Sequence, residues 1–216
     1  MVSPFVKEVD GIQRVLKGAL KEHGFKSRGR TFNRETSDGL TQVINLQMGS
    51  FDPPGTTYIP SLRENLHGLF TVNLGIYIPE VADLHGGGPA KSWVQDYNCA
   101  IRSRLGPAIG SNQDLWWHAR NDAQVVADVQ SMLLTYGLLF LDRFESRDKV
   151  LADLAGHGKN LEYCLVPRII SAIILTKRGQ VSEARELMTA QTGETLNRNH
   201  PAYVRKLAVK MGLGEI

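Results

Sequence analysis

Two stretches of the chain alternate apolar and polar side chains with a period of two. They are Leu40-Thr-Gln-Val-Ile-Asn-Leu-Gln-Met48 and Leu69-Phe-Thr-Val-Asn-Leu-Gly-Ile-Tyr-Ile78. Such alternation marks strands with one buried face. In the second stretch Phe70, Val72, Leu74, Ile76 and Ile78 share a face, and Leu69, Thr71, Asn73, Gly75 and Tyr77 share the other. In the first, Ile44, Leu46 and Met48 oppose Val43, Asn45 and Gln47. A sheet with one oily face and one amide-rich face needs helices on its oily side.

The rest of the pattern supplies them. Ser3 and Pro4 suit the cap and first position of a helix. Phe5, Val9, Ile12, Leu16 and Leu20 then recur at helical spacing, and Gly24 is the stop. A second helix is predicted from Asn121, read as its N-cap, through Val125, Val129, Met132, Tyr136 and Leu139. Shorter helices are predicted around Val150–Leu154, over Leu161–Thr176 with Pro167 at the start or at a kink, and over Ser182–Thr189. A last helix runs from Asn199-His200-Pro201 to Gly212. Trp93–Leu105 reads as a further strand, with Cys99, Ile101 and Leu105 inward and Arg102 and Arg104 outward. Gly49–Gly68 and residues 82–92 are rich in Gly and Pro and read as loops, the least ordered internal segments. The expected fold class is α+β: an N-terminal helix, an antiparallel sheet of about four strands, and a C-terminal helical part. Residues 1–120 hold the helix and sheet; residues 121–216 hold the helical part, packed on the first as one unit.

Asp38-Gly39 is a hairpin signal. A two-residue loop there sets Arg34 opposite Val43, Phe32 opposite Asn45 and Arg30 opposite Gln47. In that register Arg30 and Arg34 share the polar face with Asn45 and Gln47. Asn73 and Tyr77 extend it, and Arg102 and Arg104 join it if their strand pairs. These eight residues are the candidate binding surface. Guanidinium forks beside amides suit a carboxylate, a phosphate or an acidic protein surface.

Composition narrows the classes. A hydrophobic share of 42% with 22% charge supports a folded core rather than disorder. A net charge of +3 does not in itself point to nucleic acid. Cys99 and Cys164 lie far apart, with neither metal spacing nor a disulfide framework, which suits a reducing cytosol. The first eight residues lack the basic and apolar regions of a signal peptide, and no apolar run approaches the roughly 18 residues that span a bilayer. The expectation is therefore a cytoplasmic protein with no membrane partner. His85-Gly-Gly-Gly88 resembles an esterase oxyanion loop, but no G-x-S-x-G elbow accompanies it. Gly88-Pro-Ala-Lys-Ser92 departs from a phosphate loop at Ala90 and at His85. The six histidines show no i, i+3 or i+4 pairing. Trp116 and Trp117 are expected to divide between core and rim, and Cys99 to be a buried, inert thiol. No catalytic set, metal site or cofactor is expected.

Five motifs in order carry a family resemblance: Gly24-Phe-Lys-Ser-Arg-Gly-Arg-Thr-Phe32, Gly39-Leu-Thr-Gln-Val-Ile-Asn-Leu-Gln47, Phe70-Thr-Val-Asn-Leu-Gly-Ile-Tyr77, Ile101-Arg-Ser-Arg-Leu-Gly106 and Asp114-Leu-Trp-Trp117. The chain resembles the bacterial DUF4304 family over roughly Phe5–Phe140. The resemblance implies one α+β domain with a C-terminal helical part and brings no activity, because that family's function is unknown. The leading expectation is non-catalytic binding of a protein partner, in a bacterial defence or toxin-neutralising setting. Nucleic-acid binding through the arginine face is the second reading, and an unrecognised enzyme the third.

Overall fold

The computed structural model describes residues 4–49, 66–85, 91–156, 161–194 and 198–216. Helix α1 spans Pro4–Glu22 and buries Val9, Ile12, Leu16 and Leu20, with Phe5 half-buried at its start. It ends where the sequence signals a stop. The Gly24 N–H donates to Lys21 O and the Phe25 N–H to Leu20 O, each at 3.0 Å. This bond pair satisfies two terminal carbonyls, and the buried Phe25 follows it directly.

Seven strands form one antiparallel sheet among the described residues. They are β1 Lys26–Arg28, β2 Thr31–Glu35, β3 Thr41–Met48, β4 Leu69–Tyr77, β5 Ile101–Arg104, β6 Trp117–His118 and β7 Glu162–Tyr163. Their order is β1-β2-β3-β4-β5-β7, with β6 pairing the start of β4. The α+β class stands, but the sheet is larger than the four strands expected. The added strands β1, β6 and β7 have two or three residues, too few to display a period. As expected, Phe70, Val72, Leu74 and Ile76 are fully buried. Every β4 residue from Phe70 to Tyr77 is buried, so the amide-rich face is covered too.

The β2–β3 register differs from the expected one by one residue. Phe32 faces Ile44, Asn33 faces Val43 and Arg34 faces Gln42. The loop holds three residues, Ser37-Asp38-Gly39, not two. Thr36 N–H donates to Leu40 O at 2.8 Å, and Gly39 N–H donates to Thr36 O at 3.0 Å. Gly39 takes φ 74, the left-handed conformation that closes a three-residue hairpin loop. Asp-Gly is compatible with both loop lengths. The outcome is set by Phe32, which this slip places beside Ile44 and Leu74 in the core.

The helices pack on the oily face. Pro79–His85 forms α2 where a loop was expected. Residues 50–65 and 86–90 of the two expected loops lie outside the described residues. A short α3 covers Leu105–Ala108. Helix α4, Ala123–Met132, is capped by Asp122, one residue beyond the expected Asn121; its carboxylate accepts the Val125 N–H at 2.9 Å. A π-turn, Leu133–Gly137, joins α4 to α5, Leu138–Asp142. The wider turn rotates the apolar stripe, so Leu133, Leu138 and Leu141 are buried while Tyr136 and Leu139 are exposed. The continuous run Ala123–Asp142 is long and apolar enough to cross a membrane, contrary to the sequence expectation. Here one face of it packs in the core: Val129, Leu133 and Phe140 join the central cluster, and Asp142 pairs with Arg34.

The chain closes with α6 Arg147–Ala155, α7 Pro167–Lys177, α8 Val181–Thr192 and α9 His200–Lys210. Pro167 takes the first helical position of α7, and the segment before it supplies β7 rather than helix. A single apolar cluster runs from Val9 of α1 through the sheet to Leu213.

One buried ion pair ties the layers. Arg147 at the start of α6 donates to both oxygens of Glu80 on α2, at 2.7 and 2.8 Å. Its backbone N–H and guanidinium also reach Asp38 in the hairpin loop. Glu80 is only 7% exposed, so its charge depends on this partner. Replacing Arg147 by Ala should cost about 3–5 kcal/mol in urea unfolding, because a buried carboxylate loses its counter-charge. Leu74→Ala should cost about 2–5 kcal/mol in the same assay. A loss near zero for either would place that side chain outside the packed layers.

Candidate functional site

The polar face is built from cross-strand rows. Thr31, Asn45, Asn73 and Arg104 form one row, and Asn33, Val43, Gly75, Arg102 and Glu162 the next. Arg102 and Arg104 therefore lie opposite Phe70 and Val72, as the strand pattern predicts. Arg30 and Arg34 do not. The one-residue slip turns Arg34 to the helix side, where its Nε donates to Gln42 Oε1 at 2.6 Å and its guanidinium pairs with Asp142. The same group stacks on Phe25, 4.7 Å from the ring centroid. Arg30, in the turn before β2, reaches α1, pairing with Asp10 at 2.7 Å and donating to Val6 O at 3.1 Å. Both arginines fasten helices to the sheet margin and leave the candidate surface.

The polar face is not open. Only residues 101–104 of the expected Trp93–Leu105 strand join the sheet. The preceding segment crosses the face as a strap, with a 3₁₀ turn at Asp96–Asn98. Side-chain amides of the sheet hold it. Asn33 Nδ2 donates to Val94 O, and Val94 N–H donates to Asn33 Oδ1, both at 2.9 Å. Thr31 Oγ1 donates to Gln95 Oε1 at 2.7 Å while accepting from Asn45 Nδ2 at 2.9 Å. Asn73 Nδ2 donates to Gln47 Oε1 at 2.6 Å and to Asp96 Oδ2 at 2.9 Å. These bonds replace the water that the buried Thr31 and Asn73 lose. Beneath the strap Val43, Tyr77, Val94 and Cys99 form a second small apolar cluster. Gly75 makes room for it: a Cβ there would stand 2.6 Å from Cys99 Sγ. Tyr77 is thus a core ring under the strap rather than an open member of the candidate surface.

What remains accessible lies beside the strap. Asn45, Gln47, Asn73, Arg102 and Arg104 line one cavity of about 520 Å³, together with Gln95, Asp96, Tyr97 and Glu162. Tyr77 and Arg102 line a neighbouring cavity of about 390 Å³, and Tyr97 belongs to both. Tyr97 is 70% exposed. Arg102 pairs with Glu162 at 3.1 Å, and Arg104 pairs with Asp114 while lying 5.4 Å from the Trp116 ring centroid. Arg102 Nε and Tyr77 Oη are buried and have no hydrogen-bond partner among the described residues. Of the eight predicted residues, then, five share one cavity, Tyr77 joins the next, and Arg30 and Arg34 join neither. Sequence reasoning missed Gln95, Asp96, Tyr97 and Glu162. Gln95-Asp-Tyr-Asn98 carries a turn-like polar signal around an aromatic, hidden by the reading of that stretch as a strand.

The other candidate chemistry resolves quietly. Trp117 is in the core, its ring 5.8 Å from Phe70 and its Nε1 donating to Asp128 at 2.6 Å; Trp116 sits at the rim. Burial first, then nearby Asp96, pushes the Cys99 thiol well above its ordinary range, and burial raises Cys164 as well. Among the described residues no group of three or more His, Cys, Asp or Glu is placed to hold a metal ion.

These features define an α+β protein whose polar sheet face is closed by its own strap. Residues 61–143 match the model of DUF4304, a domain of unknown function. The chain carries that segment from before β4 to just past α5, which supports the family resemblance. The motifs Gly24–Phe32 and Gly39–Gln47 precede the matched stretch. No curated protein and no solved structure matches the chain.

The two thiols should respond unequally. In the folded protein at pH 8, iodoacetamide should modify the half-buried Cys164 slowly and leave Cys99 unmodified until denaturant is added. Peptide mass mapping reads this directly, and prompt alkylation of Cys99 would show that the strap does not cover it.

Proposed function

We propose that the chain is a non-catalytic binding module that takes a protein segment along the trough on either side of Tyr97. The observation carrying this reading is the exposed Tyr97 ring standing between two cavities that also share Arg102. Tyr and Arg anchor protein interfaces because each combines a large contact area with a directional polar group. The unpartnered Arg102 Nε and Tyr77 Oη support it, since buried polar atoms gain most from a ligand that completes their bonding. The trough mixes Arg102 and Arg104 with Asp96, Asp114 and Glu162. Mixed charge suits a polar peptide with donors and acceptors. A polyphosphate backbone needs a surplus of free cations, and both arginines here already have carboxylate partners. The natural setting proposed is the bacterial cytoplasm, where two unbridged thiols stay reduced.

The test is affinity capture from a bacterial extract with the tagged chain and with a Tyr97→Ala, Arg102→Ala variant. The partner should be lost from the variant, by a factor of about thirty or more for two anchor residues. Its melting temperature should fall only slightly, because Tyr97 is exposed and Arg102 is half-buried with one solvent-facing ion pair to lose. Equal capture by the variant would remove the trough from consideration. Tight, steeply salt-dependent binding of a single-stranded oligonucleotide would favour the nucleic-acid reading instead.

A further inference from the structure

A third cavity, of about 810 Å³, opens among α2, the β7–α7 connection and α9. It shares no wall with the cavity lined by Asn45 and Arg104, and meets the cavity beside Tyr77 at His85, Tyr163 and Cys164. Its floor is apolar, made by Leu84, Leu165, Val166, Ile169 and Leu207. Its charged rim is basic, Lys206 and Lys210 from α9, with His85 and His200 beside them and no Asp or Glu among the described lining residues. Tyr203, Lys206, Leu207 and Lys210 form a single stripe of α9 at i, i+3, i+4 and i+7. Lys206 and Lys210 stand one turn apart, a spacing at which like charges repel. Lys210 Nζ is steered by a 2.9 Å bond to Leu84 O, and no described acid pairs with Lys206. An anion between the two ammonium groups would relieve their repulsion. The volume falls within the range of small-ligand pockets, roughly 300–1,000 Å³.

We propose that this cavity binds an amphipathic carboxylate of medium chain length, its tail on Leu165, Val166 and Leu207 and its head between Lys206 and Lys210. The apolar floor sets a requirement for the tail, and the lysine pair sets one for the charge. Neither suffices, because the cavity is open to solvent on the lysine side, where Lys206 and Lys210 are exposed.

Isothermal titration of the full chain with decanoate, decanol and acetate, all below micelle formation, separates these requirements. Decanoate should bind saturably at one site, decanol at least about fivefold more weakly, and acetate not at all; fivefold is the scale of one exposed ion pair. Leu165→Trp, which fills the floor, should abolish decanoate binding. Lys206→Glu should weaken decanoate by at least about fivefold and leave decanol unchanged. Lys206 is on the exposed side of α9, so this variant keeps the test decisive if Leu165→Trp fails to fold. No saturable decanoate binding, equal affinity for decanol, or decanoate affinity unaltered in Lys206→Glu would each overturn the proposal.

Discussion

The reciprocal bond between the Asn33 side chain and the Val94 backbone is the constraint on which the polar side of this protein depends. A side-chain amide offers one donor and one acceptor in the geometry of a peptide group, so Asn33 acts as one residue of a strand partner for the strap. With Val94 fixed, Gln95 and Asp96 fall over Thr31 and Asn73, and Cys99 drops into the space beside Gly75. Tyr97 is then the residue turned outward, and Arg102 follows at the first strand positions after the strap. The accessible trough is therefore a consequence of how the sheet satisfies its buried amides.

Polar contacts play a corresponding role on the helical side. Gln42, fully enclosed, donates to Leu141 O at 2.7 Å while accepting from Arg34 at 2.6 Å. That links β2, β3 and the end of α5 without an apolar contact. Arg147 does the same for the hairpin loop, α2 and α6. An apolar replacement of comparable volume at such sites is often neutral in stability. The value of these pairs here is positional: each fixes one helix end against a particular strand residue, where oily surfaces in contact could slide.

Much of this architecture is legible in the chain. The alternation of β3 and β4, the Leu-rich stripe of α1 and the late helices follow from periodicity alone. The register of β2 does not, because Asp38-Gly39 serves two loop lengths and only the burial of Phe32 decides between them. That single residue moved Arg34 from the polar face to the helix side. The strap was illegible for a different reason. Its anchors, Asn33 and Val94, are separated by 61 positions, and a side chain that imitates backbone leaves no periodic trace. Asn45, Gln47, Asn73, Arg102 and Arg104 could be grouped correctly because strand parity fixes their face. Tyr97 and Asp96 could not, since they belong to no repeating element. The rotation of the stripe along Ala123–Asp142 was hidden likewise, the π-turn having no composition of its own.

The most direct measurement is native-state hydrogen exchange at the Val94 amide, followed by NMR in the wild-type chain and in Asn33→Ala. The account predicts strong protection of this amide in the wild type. In the variant it should exchange fast, while Leu74 in the central strand stays protected. A Val94 amide that exchanges at the rate of an unstructured peptide in the wild-type chain would contradict the account, because the polar face would then be open.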